Sequence, residues 1–450
     1  MGEDLSSTFE YQNKQIGLSF LEHTIFRGWK TNFHQSWKNL ELFIGGKCNL
    51  ACKYCYLHKY GDQLFPKYLD DSTTIKNLEL VCDWLLENAY YPDIEIFSGE
   101  PLINEKGFIA IDLVLDKFAN KYPGMKLTIP TNMTFLLNDM LTSKVEELYV
   151  KAAQGNVKLL LSASVDGKYC GVNRPMKNGL EYNTDEFYDK VFAFIKKHGL
   201  GLHPMVYSEN IELWPANFLW FQEMLNKFQI DWTNLYLLEV RNYNWSIQEV
   251  ILFEKFIDFL IRWTFKQCNS NVDEYIKFMF GHSHGFNILG SPLSSVDRGI
   301  GCSIQSTLVL RVGDLAIFPC HRLSYPIFKL GHFITQENRI SGLEIDNVEM
   351  LIVKHTFEGR TMPICESCLI KDLCSLGCLG SQFEVTGDLF SPIPTVCRLE
   401  HGKIIAMIRT YKDLDIYDDV MSRISKAKKY AMEELYVLRG NKETSIGISN

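Results

Sequence analysis

Between residues 40 and 240 the chain alternates short apolar runs with stretches in which apolar side chains recur every three or four positions. The runs fall at 40–44, 94–97, 127–129, 157–162, 202–206 and 235–240. Short apolar runs bounded by polar residues suit buried parallel strands. Behind Asp71 and Ser72, residue types that cap helices, the positions Ile75, Leu78, Cys82, Leu85 and Ala89 lie on one helical stripe. The stretches 108–118, 139–150, 185–197 and 218–228 read the same way. Six strand–helix repeats predict parallel pairing with right-handed crossovers. Periodicity alone leaves an open doubly wound sheet and a partial barrel as alternatives.

Beyond the sixth run the pattern changes. A helical stretch at 248–268 is followed by a Gly-, Ser-, Pro- and His-rich connector. Residues 300–400 lose helical periodicity and become rich in Cys, Gly and Pro, as in a small domain ordered by metal sites more than by a core. Residues 401–438 read as one or two closing helices, with a polar tail behind them. The expected domains are an N-terminal extension (1–37), an α/β domain (38–270), a connector (271–300), a Cys-rich domain (301–400) and a C-terminal helix and tail (401–450).

Composition narrows the class. With 46% hydrophobic and 22% charged residues the chain is neither disordered nor collagen-like. A net charge of −8 argues against a broad nucleic-acid-binding surface. The most apolar helical stretch is broken by Glu254, Lys255, Asp258 and Arg262, so no membrane span is expected. The start MGEDLSSTFEYQ has acids where a signal peptide needs bases, and a cytoplasmic protein is expected.

That compartment keeps thiols reduced, so the 13 cysteines need another explanation. Cys48, Cys52 and Cys55 form a C-x3-C-x2-C loop directly after the first strand. Three thiolates leave a tetrahedral structural zinc site one ligand short. They can hold three irons of a four-iron cluster and leave the fourth open. Zinc with a remote ligand such as His58 is the alternative, and chance cysteines in a loop the blander one. Seven more cysteines fall between Cys302 and Cys397, with the close pairs Cys365-x2-Cys368 and Cys374-x3-Cys378, a strong metal signal that zinc ribbons also give. Cys82, on an apolar stripe, is read as core, and Cys170 and Cys268 as structural. His282 and His284 are read as solvated, and Trp214, Trp220 and Phe221 as helix packing.

Ligands of parallel α/β folds gather at the carboxyl ends of strands. Ser98-Gly99-Glu100-Pro101 follows the second strand, Thr131-Asn132 the third, and Ser164-Val165-Asp166-Gly167 the fourth. These groups suit an ammonium, a ribose and an adenine.

With these motifs in place the sequence resembles the radical S-adenosylmethionine (radical SAM) enzymes. Cys48, Cys52 and Cys55 match the family's cluster motif, with the aromatic Tyr54 before the last cysteine. Ser98-Gly99-Glu100-Pro101 resembles its Gly-Gly-Glu-Pro motif, which implies contact with the methionine ammonium. Ser164 and Asp166 match the Ser-x-Asp-Gly element near the ribose, and Arg174-Pro175 resembles the Arg-Pro that follows it, implying contact with the cofactor carboxylate. Asn132 is a further expected cofactor contact. Gly171-Val172-Asn173 stands where the family carries His-Asp.

The second cysteine group resembles a SPASM domain with two auxiliary clusters. By position the resemblance implies Cys302, Cys320 and Cys378 for the first, and Cys365, Cys368, Cys374 and Cys397 for the second. It further implies a partial (β/α)6 barrel, three [4Fe-4S] clusters, S-adenosylmethionine and a flavodoxin- or ferredoxin-type reductant. The segment from Cys52 to Asp62, with Phe65-Pro66, resembles maturases of Cys-rich ribosomal peptides. The expected reaction is thioether cross-linking of a precursor peptide. Carbon–carbon cross-linking, epimerisation, formylglycine formation in sulfatases and a non-catalytic metal-binding protein are the alternatives.

Overall fold

The computed structural model describes residues 9–11, 14–16, 38–67, 69–280, 286, 288–289, 304–356, 363–374 and 377–445. Cys302, His282, His284 and most of the expected N-terminal extension lie outside them. The described chain divides into two compact units. One draws on Met1–Ser164, Pro175–Tyr182 and Cys302–Thr361, the other on Val165–Arg174, Asn183–Gly301 and Met362–Asn450.

The first unit is built on strands β1 (Asn39–Gly45), β2 (Asp93–Ser98), β3 (Lys126–Thr131) and β4 (Lys158–Ala163), paired in parallel in that order. Side chains alternate across each strand. Leu40, Leu42, Ile44, Ile94, Ile96, Leu127, Ile129, Leu159 and Leu161 form one buried face. The connecting helices are α1 (Tyr56–Leu64), α2 (Asp71–Glu87), α3 (Glu105–Phe118) and α4 (Asp139–Gln154). Leu78, Val81, Cys82 and Leu85 of α2 and Ile111, Val114, Leu115 and Phe118 of α3 are buried, so Cys82 is a core residue. The caps are local: Asp70, one residue before the expected pair, accepts from Thr73 N–H, and Asn104 and Asn138 do the same for α3 and α4.

The opposite face is mixed. It carries Glu41, Glu95, Thr128 and Ser162, all only partly buried, alongside the apolar Phe43, Phe97 and Leu160. Polar groups at alternate positions mark a face turned to a cavity rather than to a helix layer.

Residues 307–345 differ from a metal-ordered loop region. Strand β7 (Thr307–Arg311) pairs in parallel with β1, on the side away from β2, and is buried throughout. Strands β8 (Ala316–Phe318), β9 (Gly331–Gln336) and β10 (Arg339–Ile345) continue antiparallel, giving an eight-stranded sheet. Lys354, fully buried, donates to the carbonyls of Ile304, Thr307 and Pro319 and ties the start of β7 to the Cys320 turn.

In the second unit, β5 (Met205–Val206) and β6 (Leu238–Glu239), the fifth and sixth expected strands, form a parallel pair of their own. Helices α5 (Asp185–His198), α6 (Trp214–Lys227), α7 (Ile247–Gln267) and α8 (Pro394–Asp413) make up its bulk. Trp214, Trp220 and Phe221 are buried in aromatic packing, Trp214 against Phe256 at 5.7 Å between centroids. Cys170 and Cys268 are buried. No helix among the described residues is long and apolar enough to cross a membrane.

Candidate functional site

The three-cysteine loop connects β1 to α1, and its path is fixed by backbone contacts rather than by a core. Ala51 N–H donates to Pro175 C=O at 2.8 Å and Lys177 N–H to Asn49 C=O at 2.9 Å, around an antiparallel bridge between Leu50 and Met176. Leu50 N–H points at Cys48 Sγ at 3.4 Å, and Cys55 N–H closes a turn onto Cys52 C=O. Cys52 is buried; Cys48, Tyr54 and Cys55 are half-buried.

The turn after β2 lies directly on this loop. Gly99 N–H donates to Gly45 C=O at 3.0 Å and Glu100 N–H to Lys47 C=O at 2.9 Å. A Cβ on Gly99 would sit 2.5 Å from the Gly46 and Lys47 carbonyl oxygens, so no larger residue fits without moving backbone. Ser98 is buried beside Gly45 in register. Glu100, 1% exposed, spends its carboxylate inside the protein: it accepts from Leu102 N–H, from Thr131 Oγ1 at 2.9 Å and from Asn132 N–H at 2.6 Å. It thereby locks the end of β3 to the end of β2.

Asn132 then bridges to the cysteine loop. Its Nδ2 donates to Asn49 Oδ1 at 2.9 Å, and its Oδ1 accepts from Thr134. Asn49 in turn donates to Thr134 Oγ1 at 2.8 Å. Ser164 N–H donates to Thr131 C=O, which sets the end of β4 beside β3.

Cys48, Cys52, Cys55 and Gly99 line one cavity of about 650 Å³, with Lys47, Lys59, Lys67 and Lys177 among its other walls. That volume is in the range of small-molecule and cofactor sites. Burial, and then the Glu100 carboxylate, push the Cys48 thiol up to about 11, so a cation that displaces its proton is what makes it a thiolate. Among the described residues no three His, Cys, Asp or Glu side chains converge on a single ion. A cubane takes its thiolates around the corners of a cube, not about a point, and the donor set of three thiols around an open cavity fits it.

On the half-open face below, Glu41 and Glu95 sit side by side in register on β1 and β2. They line a second cavity of about 260 Å³ with Asn39, Asp93, Thr128 and Thr307. His321, next to Cys320, bonds Glu41 at 2.8 Å and stacks on Phe97. Burial, then Glu41, raise Glu95 to about 7; burial lowers His321, but Glu41 outweighs it and lifts it to about 8. Both groups hold protons in the fold that the unfolded chain releases, so stability is present at lower pH and lost as pH rises through these values. The denaturant midpoint is therefore expected to fall between about pH 5 and 8. Glu95→Gln should flatten the lower part of that slope, worth on the order of 2 kcal/mol after allowance for partial exposure. Equal slopes in urea titrations of both proteins would remove this account.

The second unit holds Asp166 and Arg174. Asp166, 1% exposed, accepts from Met205 N–H and pairs with Arg174, their Oδ1 and Nε 3.0 Å apart. Arg174 is buried in this pair. Cys365, Cys368, Cys374, Cys378 and Cys397 belong to this unit as well, while Cys320 belongs to the first. The thiols of Cys365, Cys368 and Cys397 lie within mutual electrostatic reach, and burial with these neighbours raises Cys365 to about 11.

Lys177, Asn49 and Thr134 were not among the expected site residues. The Asn-Leu-Ala spacer and the Pro-Met-Lys after Arg174 are ordinary loop sequences, and only the pairing of the two reveals their role.

No family model matches the chain. It is 28% identical over 179 residues to the uncharacterized protein MJ0907 of Methanocaldococcus jannaschii; the match covers 39% of this chain and 54%, about half, of that relative. Among solved structures it resembles anSMEcpe with bound AdoMet, with a TM-score of 0.54 and 18% identity over 84% of this chain and 99% of that one. The same protein with AdoMet and a Cp18Cys peptide gives a TM-score of 0.53 at the same identity and coverage.

Proposed function

We propose that this chain, whose fold is that of the radical SAM enzymes, is a radical SAM peptide-modifying enzyme that forms thioether cross-links in a ribosomally made precursor. The observation that carries the reading is the cavity in which all three cysteines of one loop meet the Gly99 turn. The AdoMet and the peptide named for the solved neighbour support the cofactor and the substrate class.

When bound, a four-iron cluster and S-adenosylmethionine supply reductive carbon–sulfur cleavage and the abstraction of hydrogen from an unactivated C–H bond. The chain supplies the seat. Cys48, Cys52 and Cys55 would provide three thiolates to a cluster and leave one corner for the cofactor. Ser98, Gly99 and the Lys47 carbonyl hold the turn that would receive the methionine portion, and Asn132 and Ser164 would present polar groups at the neighbouring strand ends. Glu100 acts by fixing Asn132, because its oxygens are already used. Arg174 holds Asp166, and Lys177, on the cavity wall, offers a cation to a carboxylate. Tyr54, half-buried between Cys52 and Cys55, is a further expected cofactor contact.

The remaining parts follow from the resemblance, namely auxiliary clusters on Cys302, Cys320 and Cys378 and on Cys365, Cys368, Cys374 and Cys397 and a flavodoxin- or ferredoxin-type reductant, and, from the acidic N-terminal sequence, a cytoplasmic setting.

The test is anaerobic reconstitution with iron and sulfide, then incubation with S-adenosylmethionine and dithionite, alone and after co-expression with a Cys-rich precursor peptide. The expected results are 5′-deoxyadenosine, and a peptide that has lost two hydrogens and one free thiol for each bond formed. Cofactor cleavage with unchanged thiols would move the reading to carbon–carbon cross-linking or epimerisation. Zinc in place of iron, with no cleavage, would sink it.

A further inference from the structure

In the second unit a set of buried charges lies between β6 and α8. Glu239 and Glu400 are 4% and 1% exposed at the side chain. Arg241 pairs with both, 2.8 Å from Glu400. Lys403, also 1% exposed, lies 3.3 Å from Glu400 and 3.8 Å from Glu239. Two acids and Lys403 removed from water, with Arg241 one-fifth exposed, cost several kcal/mol per fully buried ion before pairing, and an apolar set of the same volume is often at least as stable. Stability alone therefore gives no reason for them.

Their neighbours do. Cys397 precedes Glu400 by three residues on α8, so the two side chains share a face one turn apart. The Arg241 guanidinium lies within electrostatic reach of Cys374, and Cys397 within reach of Glu400 and Cys368. The charge set thus lies on the same helix face as Cys397 and within electrostatic reach of Cys374.

We infer that Arg241 and Glu400 tune in opposite directions the reduction potential of an iron–sulfur cluster held by Cys365, Cys368, Cys374 and Cys397. The inference rests on the cluster assignment proposed above. Reduction adds one electron to the cluster and breaks no bond, so its equilibrium follows the local charge. A largely buried cation favours the reduced, more negative state and a buried anion opposes it, with less screening than in water. Arg241 and Glu400 are positioning residues here, acting on the cluster through its thiolates.

The experiment is a redox titration followed by electron paramagnetic resonance, on the reconstituted full chain carrying Cys48→Ala, Cys52→Ala and Cys55→Ala, with dithionite and mediators. Arg241→Gln should shift the equilibrium of one auxiliary cluster at least tenfold toward the oxidised form, about 59 mV for a one-electron couple. Glu400→Gln should shift the same cluster the other way. A purely structural role predicts lost iron or shifts of the same sign, and either no shift or same-sign shifts overturn the inference. Where Arg241→Gln does not retain iron, Glu400→Gln decides alone, since its potential must rise. Zinc at these cysteines in the chain without the Arg241 or Glu400 substitution instead overturns the cluster assignment itself.

Discussion

Replacing Cys48, Cys52 and Cys55 together by alanine is expected to abolish 5′-deoxyadenosine formation and to remove about four irons per chain, the content of one cubane, while the remaining iron stays bound. The loss should be complete rather than graded. The three thiols line one cavity and come from one loop, so no other described cysteine is placed to replace them there. The loop itself should survive, because its path is held by main-chain bonds from Ala51 and Lys177 and by the Asn49–Asn132–Thr134 contacts, none of which uses sulfur. The variant should therefore unfold at a denaturant midpoint near that of the unloaded parent chain. Iron assay and chromatography of the nucleoside read the result. Persistent 5′-deoxyadenosine in the triple variant would place the chemistry elsewhere.

Much of this arrangement could be read from local sequence because local sequence decides it. The apolar runs of β1–β4 and the stripes of α2 and α3 have periods that only a strand or a helix can satisfy. The caps Asp70, Asn104 and Asn138 act within three residues of themselves. What escaped reading is what depends on distant partners. Residues 307–311 form a strand on the edge that β1 offers, with Leu42 opposite Leu310; their short apolar run does not say which strand they join. Glu41 and Glu95 are conspicuous only once the register of β1 and β2 brings them side by side. Asp166 and Arg174 could be matched to a motif, yet the motif does not say that the two pair with each other in a buried setting. The segment from Pro175 to Lys177 reads as a plain loop until it is seen bonded along the cysteine loop.

Gly99→Ala should cost about 1–3 kcal/mol of stability and at least a tenfold loss in S-adenosylmethionine affinity, although it adds a single methyl group. The added Cβ would meet the Gly46 and Lys47 carbonyls at 2.5 Å. Backbone atoms, unlike the end of a flexible side chain, cannot turn aside. Relief requires the β2 turn and the cysteine loop to separate, which breaks the bonds from Gly99 and Glu100 N–H to Gly45 and Lys47. Separation also misplaces Cys48, one residue beyond Lys47, relative to the turn proposed to face the cofactor. A neighbouring glycine gives the control: a Cβ at Gly46 meets nothing within 4 Å, so Gly46→Ala should leave both quantities nearly unchanged. Urea denaturation and equilibrium dialysis of the cofactor, run on both variants after reconstitution, separate the two cases. If Gly99→Ala binds as tightly as Gly46→Ala, the contact between these two loops is not what shapes the cofactor seat.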